Sequence, residues 1–395
     1  MNFKSWLDVD LPGNIRRPDH ILIATVFLLT GWGLVTLYSS SYAQALRFFN
    51  DGNHFISRQT FLAAAGILLF LFFSRLNLVL FRKLIPVMLL GTFILCCLTF
   101  VPGIGIEKNG ATRWIGFGTN PKNPLDKFIT LQPSEFIKIC LPFYLANTLT
   151  KKGDQMNSFI KGILTPTVVI GLFFFIVYKQ NNFSTAVFIV INCLVIFFLA
   201  GVQYRWFAGA LALFIPLAAF MILTETHRLI RVLSFLNPSQ ADPRGAGYQI
   251  HSSLRAIGSG GFWGKGLGQG TWKVAGIPEV HSDFIFAAFA EEVGLLGVIL
   301  FLGLFTVFAV RGYLGALRND DGFSRLLGLG LVTMIVSQVL LNLAVVAGLV
   351  PTTGLPLPFF SAGGTYITII LIMAGFIVNI TRSSGAFAGG INGRE

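Results

Sequence analysis

Charge is what this chain is short of. Its 29 Lys and Arg and 17 Asp and Glu make up 12 % of 395 residues, where a soluble domain carries roughly 25 %. With 54 % of the residues apolar and 40 Phe, too little polar surface is left to cover water-facing domains. That excludes a soluble enzyme and a disordered tail. Cysteine is scarce too: Cys96, Cys97, Cys140 and Cys193 all fall within apolar runs, where a thiol acts as a small hydrophobe. Neither a disulfide framework nor a Cys/His metal centre is expected from them. Neither G-x-G-x-x-G nor G-x-x-x-x-G-K-[ST] occurs, which removes the usual nucleotide-binding loops. Acid is the rarer sign, so the net charge of +12 needs either a topological cause or an anionic partner.

Long uncharged runs are what is there instead. Crossing about 30 Å of hydrocarbon takes roughly 20 helical residues. About ten runs qualify: Ile21 to Tyr42, Phe61 to Ser74, Ile85 to Val101, Phe136 to Thr148, Ile163 to Tyr178, Ser184 to Val202, Trp206 to Leu223, Phe284 to Val310, Leu326 to Val350 and Thr365 to Ile380. The second and fourth are short and need polar flanks to complete a span. The expected fold is an all-α polytopic membrane protein of about ten transmembrane helices. Mostly polar residues precede the first run and no small-residue cleavage site follows it, so this run is expected to remain as an anchor.

Orientation follows from the cations of the short loops, which are retained on the cytoplasmic side. With the N-terminus inside, inner segments hold 15 of the 29, and the short outer loops hold only Arg47, Arg58 and Lys179. Both termini are expected to be cytoplasmic. The chain then divides into an N-terminal segment 1–20, a transmembrane domain 21–381 and a tail 382–395. Two long extracytoplasmic loops, about 102–133 and 224–282, carry ten further cations. Long loops escape the orientation rule, and an outer face has no anionic cytoplasmic leaflet to attract. An anionic ligand is the expected partner; nucleic acid is not.

The first long loop holds Arg113 and ends at Gln132-Pro133-Ser134-Glu135-Phe136. Pro at a first helical position with a carboxylate behind it marks a helix start, and Lys138 stands one turn on, at ion-pair spacing from Glu135. Such a pair at a membrane edge serves structure as readily as chemistry. The second loop holds Arg228, Arg231, Arg244, Lys265 and Lys273, with seven glycines between Gly258 and Gly270. Those glycines either expose amides to a phosphate or form a re-entrant loop packed on helices.

The densest chemistry follows, from Pro278-Glu279-Val280-His281-Ser282-Asp283 to Glu291-Glu292. Ionisable groups in a span are expensive and face a cavity, a partner or a pathway. Asp283, at the mouth, is the candidate for chemistry, with an N-cap as its structural alternative. Glu291 and Glu292 lie deeper, roughly 13 Å down at ~1.5 Å per residue, and are expected to pair with cations or backbone and fix helix positions. The last outer connection, Gly348 to Thr365, is too rich in Pro and Gly for a helix and is expected to wall the site, since irregular backbone at membrane depth lines cavities.

Taken in order, several strings resemble the SEDS family, the FtsW and RodA type of bacterial cell-wall polymerases. They are Gly110-Ala111-Thr112-Arg113-Trp114, Gln132-Pro133-Ser134-Glu135-Phe136, Gly247-Tyr248-Gln249, Ala256-Ile257-Gly258-Ser259-Gly260-Gly261, Gly264-Lys265-Gly266-Leu267-Gly268, Pro278-Glu279, Asp283-Phe284-Ile285-Phe286-Ala287, Glu291-Glu292 and Pro356-Leu357-Pro358-Phe359-Phe360-Ser361. The resemblance implies a peptidoglycan glycosyltransferase of the bacterial cytoplasmic membrane that polymerises lipid II on the outer face, in cell division or elongation, the strings being slightly more FtsW-like. It implies a class B penicillin-binding transpeptidase and other divisome or elongasome membrane proteins as partners. The family's catalytic aspartate falls on Asp283, proposed as general base. Arg113, Lys138, Arg244, Lys265, Lys273, Glu279 and His281 are then candidates for substrate binding, and Glu135, Glu291 and Glu292 for support.

No cofactor is certain from the sequence; carboxylates and a pyrophosphate together can hold Mg²⁺ or Mn²⁺. Two departures stand out. Asn181-Asn182 occupies a place where the family often has Pro-Asp, and Ala362 one where it often has Tyr. A lipid II carrier would use the same cavity and cations, but transporters tend to show internal repeats and none is evident here. A division scaffold would leave Asp283 without a use.

Overall fold

The computed structural model describes residues 18–108, 110–116, 130–153, 156, 158–236, 246–272 and 280–383. Every apolar run is helical. In chain order the helices are α1 (His20–Phe49), α2 (His54–Phe73), α3 (Leu78–Leu98), α4 (Pro133–Lys152), α5 (Leu164–Lys179), α6 (Phe183–Leu199), α7 (Tyr204–Leu223), α8 (Thr226–Leu236), α9 (Ala246–Gly260), α10 (Ile285–Leu317), α11 (Gly322–Val346) and α12 (Tyr366–Ser383). A π-turn, Phe159–Ile163, leads into α5. Among the described residues, seven helical segments are long and apolar enough to cross a membrane, and Phe183–Leu199 and Tyr366–Arg382 are apolar but shorter. The two short runs of the sequence do recruit polar flanks: α2 begins at His54 and α4 extends through Lys152. This is a multi-pass membrane protein, with an outer belt of exposed Leu and Phe such as Leu68, Leu90, Phe198 and Leu213.

Local signals account for the helix ends. Asp19 caps α1 by accepting from the Leu22 amide at 3.0 Å, and Asn50 closes it in the left-handed region with φ 53°, a conformation Asn tolerates. Asp321 caps α11 through Ser324. At the same end of the molecule the Asp19 carboxylate pairs with Arg311 at 2.9 Å, which ties the start of α1 to the far half of α10. The core is built from α4, α10, α11 and α12, with α2 packed along α12 and α1 along α10. In contrast, α7 has no buried residue, and α8 is its principal neighbour.

Neither long loop is plain loop. The first carries a three-stranded antiparallel sheet of β1 (Gly105–Lys108), β2 (Ala111–Gly116) and β3 (Thr130–Leu131), a small addition to the expected all-α fold. The second contains α8 and α9. Among the polar residues of its sequence, α8 hides an apolar stripe at Ile230, Leu233 and Leu236, all exposed; this spacing of three marks one helix face.

Candidate active site

The site starts from how α10 is broken. Gly294 has φ 66° and ψ −170°, outside helical space, so the helix divides into a short outer half ending at Val293 and a long inner half. A break at membrane depth frees backbone groups that hydrocarbon cannot satisfy. The glycine-rich segment after α9 satisfies them: the amides of Lys265 and Gly266 donate to the carbonyls of Glu291 and Glu292 at 3.0 Å, and those of Leu295 and Leu296 donate to Gly261 and Phe262. The backbones are so close that a Cβ on Gly264 would collide with the Glu292 carbonyl, and one on Gly294 with the Gly264 amide. Gly260, Gly264 and Gly270 therefore serve close packing, whereas Gly258, Gly261 and Gly268 have open space where a Cβ would stand. The segment is re-entrant: Gly268 donates to Ser39 Oγ, and Ser39 lies ten residues before Phe49 on α1, about 15 Å below its end at ~1.5 Å per residue.

Both deep glutamates are closed on donors from the plug or from α1. The fully buried Glu291 accepts from Lys265 Nζ at 2.6 Å, from the Thr271 amide at 2.9 Å and hydroxyl at 3.1 Å, from the Trp272 amide at 3.2 Å and from Ser259 at 3.3 Å. Glu292 accepts from Ser39 at 2.6 Å. Lys265, expected to bind substrate, instead spends its charge on Glu291, because the loop that carries it descends into the bundle.

Above this plug the short half of α10 places Asp283 just outside its N-cap, which is Phe284. The capping alternative for Asp283 is therefore not realised. Its backbone is fixed by the connection after α11. Asn342 donates both to the Asp283 carbonyl and to the Leu355 carbonyl at 2.8 Å. Ser361 donates to Ser282 at 2.6 Å, and Ala362 to His281 at 2.9 Å. The Pro/Gly connection does wall the site, and its Gly354 lies within 3.8 Å of Asp283 Oδ2, measured from where a Cβ would stand.

Gly354 also lines a cavity of about 150 Å³ whose wall includes Arg113, Glu135, Asn182, Thr365 and Tyr366. At its floor Lys138 donates to both Glu135 oxygens at 2.9 Å and to Gln338 at 3.1 Å. Gln338 in turn donates to Tyr366 at 2.8 Å and to the Pro356 carbonyl at 2.9 Å. Lys138 is fully buried, and its charge is answered within this network, which holds α4, α11 and α12 together. Lys138 is thus a structural cation beneath the cavity, not a cation presented to it.

Arg113 is different. Its Nη2 donates to the Asn181 carbonyl, its Nε has no hydrogen-bond partner, and burial, then the nearby Arg231, pushes its guanidinium down to about 10. Asn181 takes φ 56°, and Asn182 lines the cavity; the Asn-Asn departure from the family pattern puts an amide, not a carboxylate, at position 182. Arg58, placed by sequence in a short outer loop, belongs to α2 and donates to Thr130, itself in the cavity wall. Gly364 leaves room for it, since a Cβ there would lie 2.7 Å from its Nη2. His281 pairs with Gln44 at 2.9 Å and packs on Phe55, which makes it part of the frame. Arg244, Lys273 and Glu279 lie outside the described residues.

Sequence reasoning missed Arg58, Gln59, which donates to the Ser361 carbonyl at 3.0 Å, Gln338 and Asn342. The last three are buried amides within spans, and a search for uncharged polar residues in apolar runs, not only for charges, would have found them.

A polytopic helical bundle with a broken helix, a re-entrant plug and a polar cavity lined by Arg113 and Glu135 next to Asp283 is the class of protein this defines. The chain belongs to the FtsW/RodA/SpoVE family of cell cycle proteins, whose profile matches residues 19–385. It is 36 % identical over 371 residues to the probable peptidoglycan glycosyltransferase FtsW of Trichlorobacter lovleyi, covering 94 % of each chain. It is also 36 % identical to stage V sporulation protein E of Bacillus subtilis, over 93 % of this chain and 98 % of that one. Among solved structures it resembles a chain of a peptidoglycan synthase complex that coordinates polymerization and crosslinking, with TM-score 0.75, 26 % identity and 93 % and 98 % coverage. The rod shape determining protein RodA of Thermus thermophilus shares the fold at TM-score 0.67 and 24 % identity, with the same coverage.

Proposed function

We propose that this protein is a peptidoglycan glycosyltransferase that polymerises lipid II, with Asp283 as general base. The observation that carries the reading is the placement of the Asp283 carboxylate at the edge of a cavity that also holds Arg113. Asp283 takes the proton of the acceptor hydroxyl as its oxygen attacks the anomeric carbon of the donor. Arg113 answers the charge that develops on the departing lipid diphosphate. One base and a good leaving group suffice, so no protein nucleophile is needed. Relatives named as peptidoglycan glycosyltransferases support this chemistry, and the FtsW names support a septal role. The resemblance to a synthase that both polymerises and crosslinks supports a class B penicillin-binding transpeptidase as partner.

Mg²⁺ or Mn²⁺ has no protein cage among the described residues, where no three His, Cys, Asp or Glu side chains converge.

The test is polymerisation of labelled lipid II by the purified full-length protein with its transpeptidase. Glycan strands are expected from the wild type, and Asp283→Asn is expected to reduce the rate by about 10²–10⁴-fold, the usual worth of a general base, at unchanged thermal stability. Normal polymer from a folded Asp283→Asn protein sinks the assignment. Lipid II flipping without polymer points to a carrier instead.

A further inference from the structure

The segment that carries Asp283 is not regular helix. Residues 280–284 form turns ahead of α10, outside its ladder, so the carbonyls there take donors from elsewhere in the fold. Three successive carbonyls are held by α11 and the connection after it. Ala362 donates its amide to His281 at 2.9 Å, Ser361 its hydroxyl to Ser282 at 2.6 Å, and Asn342 its side-chain amide to Asp283 at 2.8 Å.

Of these donors, Asn342 is the one that holds Asp283 itself. It is fully buried, and it also donates to the Leu355 carbonyl at 2.8 Å. Its Oδ1 has no hydrogen-bond partner among the described residues, so both bonds it makes are donated. Two carbonyls that accept from one NH2 group fix which end of the amide faces them. One side chain therefore ties Asp283 to a wall of the cavity, because Gly354, next to Leu355, lines that cavity and approaches Asp283 Oδ2.

The tie has a firm backing. Gln338, four residues before Asn342 and so on the same face of α11, donates to the next carbonyl, that of Pro356, at 2.9 Å. From α2, Gln59 donates to the Ser361 carbonyl at 3.0 Å and accepts from the Gly363 amide at 3.3 Å. The connection is thus clamped by α2 and α11, and the Asp283 backbone hangs from both the connection and α11.

We propose that Asn342 is a positioning residue for the transfer: its amide holds the Asp283 backbone beside the Leu355 carbonyl and so sets where the carboxylate meets the acceptor hydroxyl. This rests on the glycosyltransferase reading with Asp283 as base. Misplacing reacting groups by about 1 Å costs about 10²-fold in rate, whereas an amide that only satisfies two carbonyls shows its worth in stability. Asn379 is an amide of that second kind. On α12 it donates to the carbonyls of Phe73 and Leu76 at 2.8 and 2.6 Å, at the other end of α2 from Gln59.

The test compares Asn342→Gln, which keeps the amide on a stem one methylene longer, with Asn379→Gln, in the full-length protein with its transpeptidase. In the lipid II assay Asn342→Gln is expected to lower kcat about 10–10²-fold with KM within about twofold, since placing the base counts in the transition state and not in substrate binding. Asn379→Gln is expected to lower the melting temperature and to leave both kcat and KM within about twofold. Ser361→Ala, which removes the donor to neighbouring Ser282, carries the same test with the same split if Asn342→Gln does not fold.

A second readout does not need polymerisation. Asp283→Cys puts a thiol in place of the carboxylate, and its rate of reaction with a small water-soluble methanethiosulfonate reports how that side chain is presented to the cavity. Protein with Asp283 intact gives the background from the four native cysteines. Adding Asn342→Gln is expected to change the rate about fivefold or more, and adding Asn379→Gln is expected to leave it as it was.

In a protein that polymerises lipid II both the kcat loss and the labelling change are required, and the absence of either overturns the positioning role while leaving the glycosyltransferase reading intact. A kcat loss matched by Asn379→Gln overturns it as well, because the effect is then one of general stability. Labelling that depends on Asn342 in a protein that never polymerises lipid II keeps the amide as what places residue 283 and sinks the glycosyltransferase reading alone.

Discussion

The two ends of the short half of α10 handle charge in opposite ways. At its deep end, around Gly294, each charge is closed upon a partner: Glu291 on Lys265 and two backbone amides, Glu292 on Ser39. At its outer end, Arg113 lines the cavity and donates to the Asn181 carbonyl, and its Nε has no hydrogen-bond partner among the described residues. The difference teaches how to tell a fastener from a binding site when both are rich in ionisable groups. A fastener is complete in the protein alone, whereas a binding site is left with a charge that only a ligand completes.

The largest effect is expected where a complete network is opened. Glu291→Ala leaves Lys265 and the amides of Thr271 and Trp272 without their acceptor, and breaking a buried pair in this way costs about 3–5 kcal/mol. Thermal unfolding of the purified protein checks it, and Glu291→Gln, which keeps an acceptor, is expected to lose less. A loss confined to activity at unchanged stability would move Glu291 from fastener to site.

Gly294→Ala comes next, because it combines a positive φ with a collision against the Gly264 amide. About 1–3 kcal/mol of destabilisation is expected from backbone strain, together with faster proteolysis of the 261–272 segment. Equal stability and equal protection would mean that the re-entrant segment does not depend on the break.

The smallest effect on stability, and the one of opposite sign, is expected at Arg113. Its folded pKa of about 10 lies below the ordinary 12.5, so the unfolded chain binds this proton more tightly. The resulting cost is fully present below pH 10 and disappears as pH rises toward 12.5. At pH 7 to 8 Arg113→Met is therefore expected to gain about 0.5–1 kcal/mol or be neutral, within the range of ordinary single substitutions, while polymerisation is lost. A marked fall in melting temperature would make Arg113 a fastener like Lys138, and the contrast between the two ends would fail.

Much of this is legible in the amino-acid sequence. Length without charge defines the spans, and the i,i+3 spacing of Glu135 and Lys138 predicts the ion pair that the fold closes at 2.9 Å. The depth of Glu291 and Glu292 along one helix marks them as anchors. The glycine-rich stretch is ambiguous, because glycines that admit a phosphate and glycines that admit another backbone look alike in sequence; only the contact with Gly294, thirty residues after Gly264, shows which it is. Lys265 misleads for the same reason. A cation in a loop seems available until the loop is seen to turn inward.

By itself, then, the sequence determined a bundle of apolar helices and the edge position of Asp283, since hydropathy and helical spacing are local properties of consecutive residues. It also determined which charges sat too deep in apolar surroundings to stay unpaired. Only the tertiary structure decided which cations were already neutralised. Lys138 meets Gln338, Lys265 meets Glu291, and Arg113 meets the Asn181 carbonyl. These meetings depend on residues 26 to 200 positions apart or on separate loops, and a Coulomb interaction is set by distance in space, which no spacing along the chain reveals.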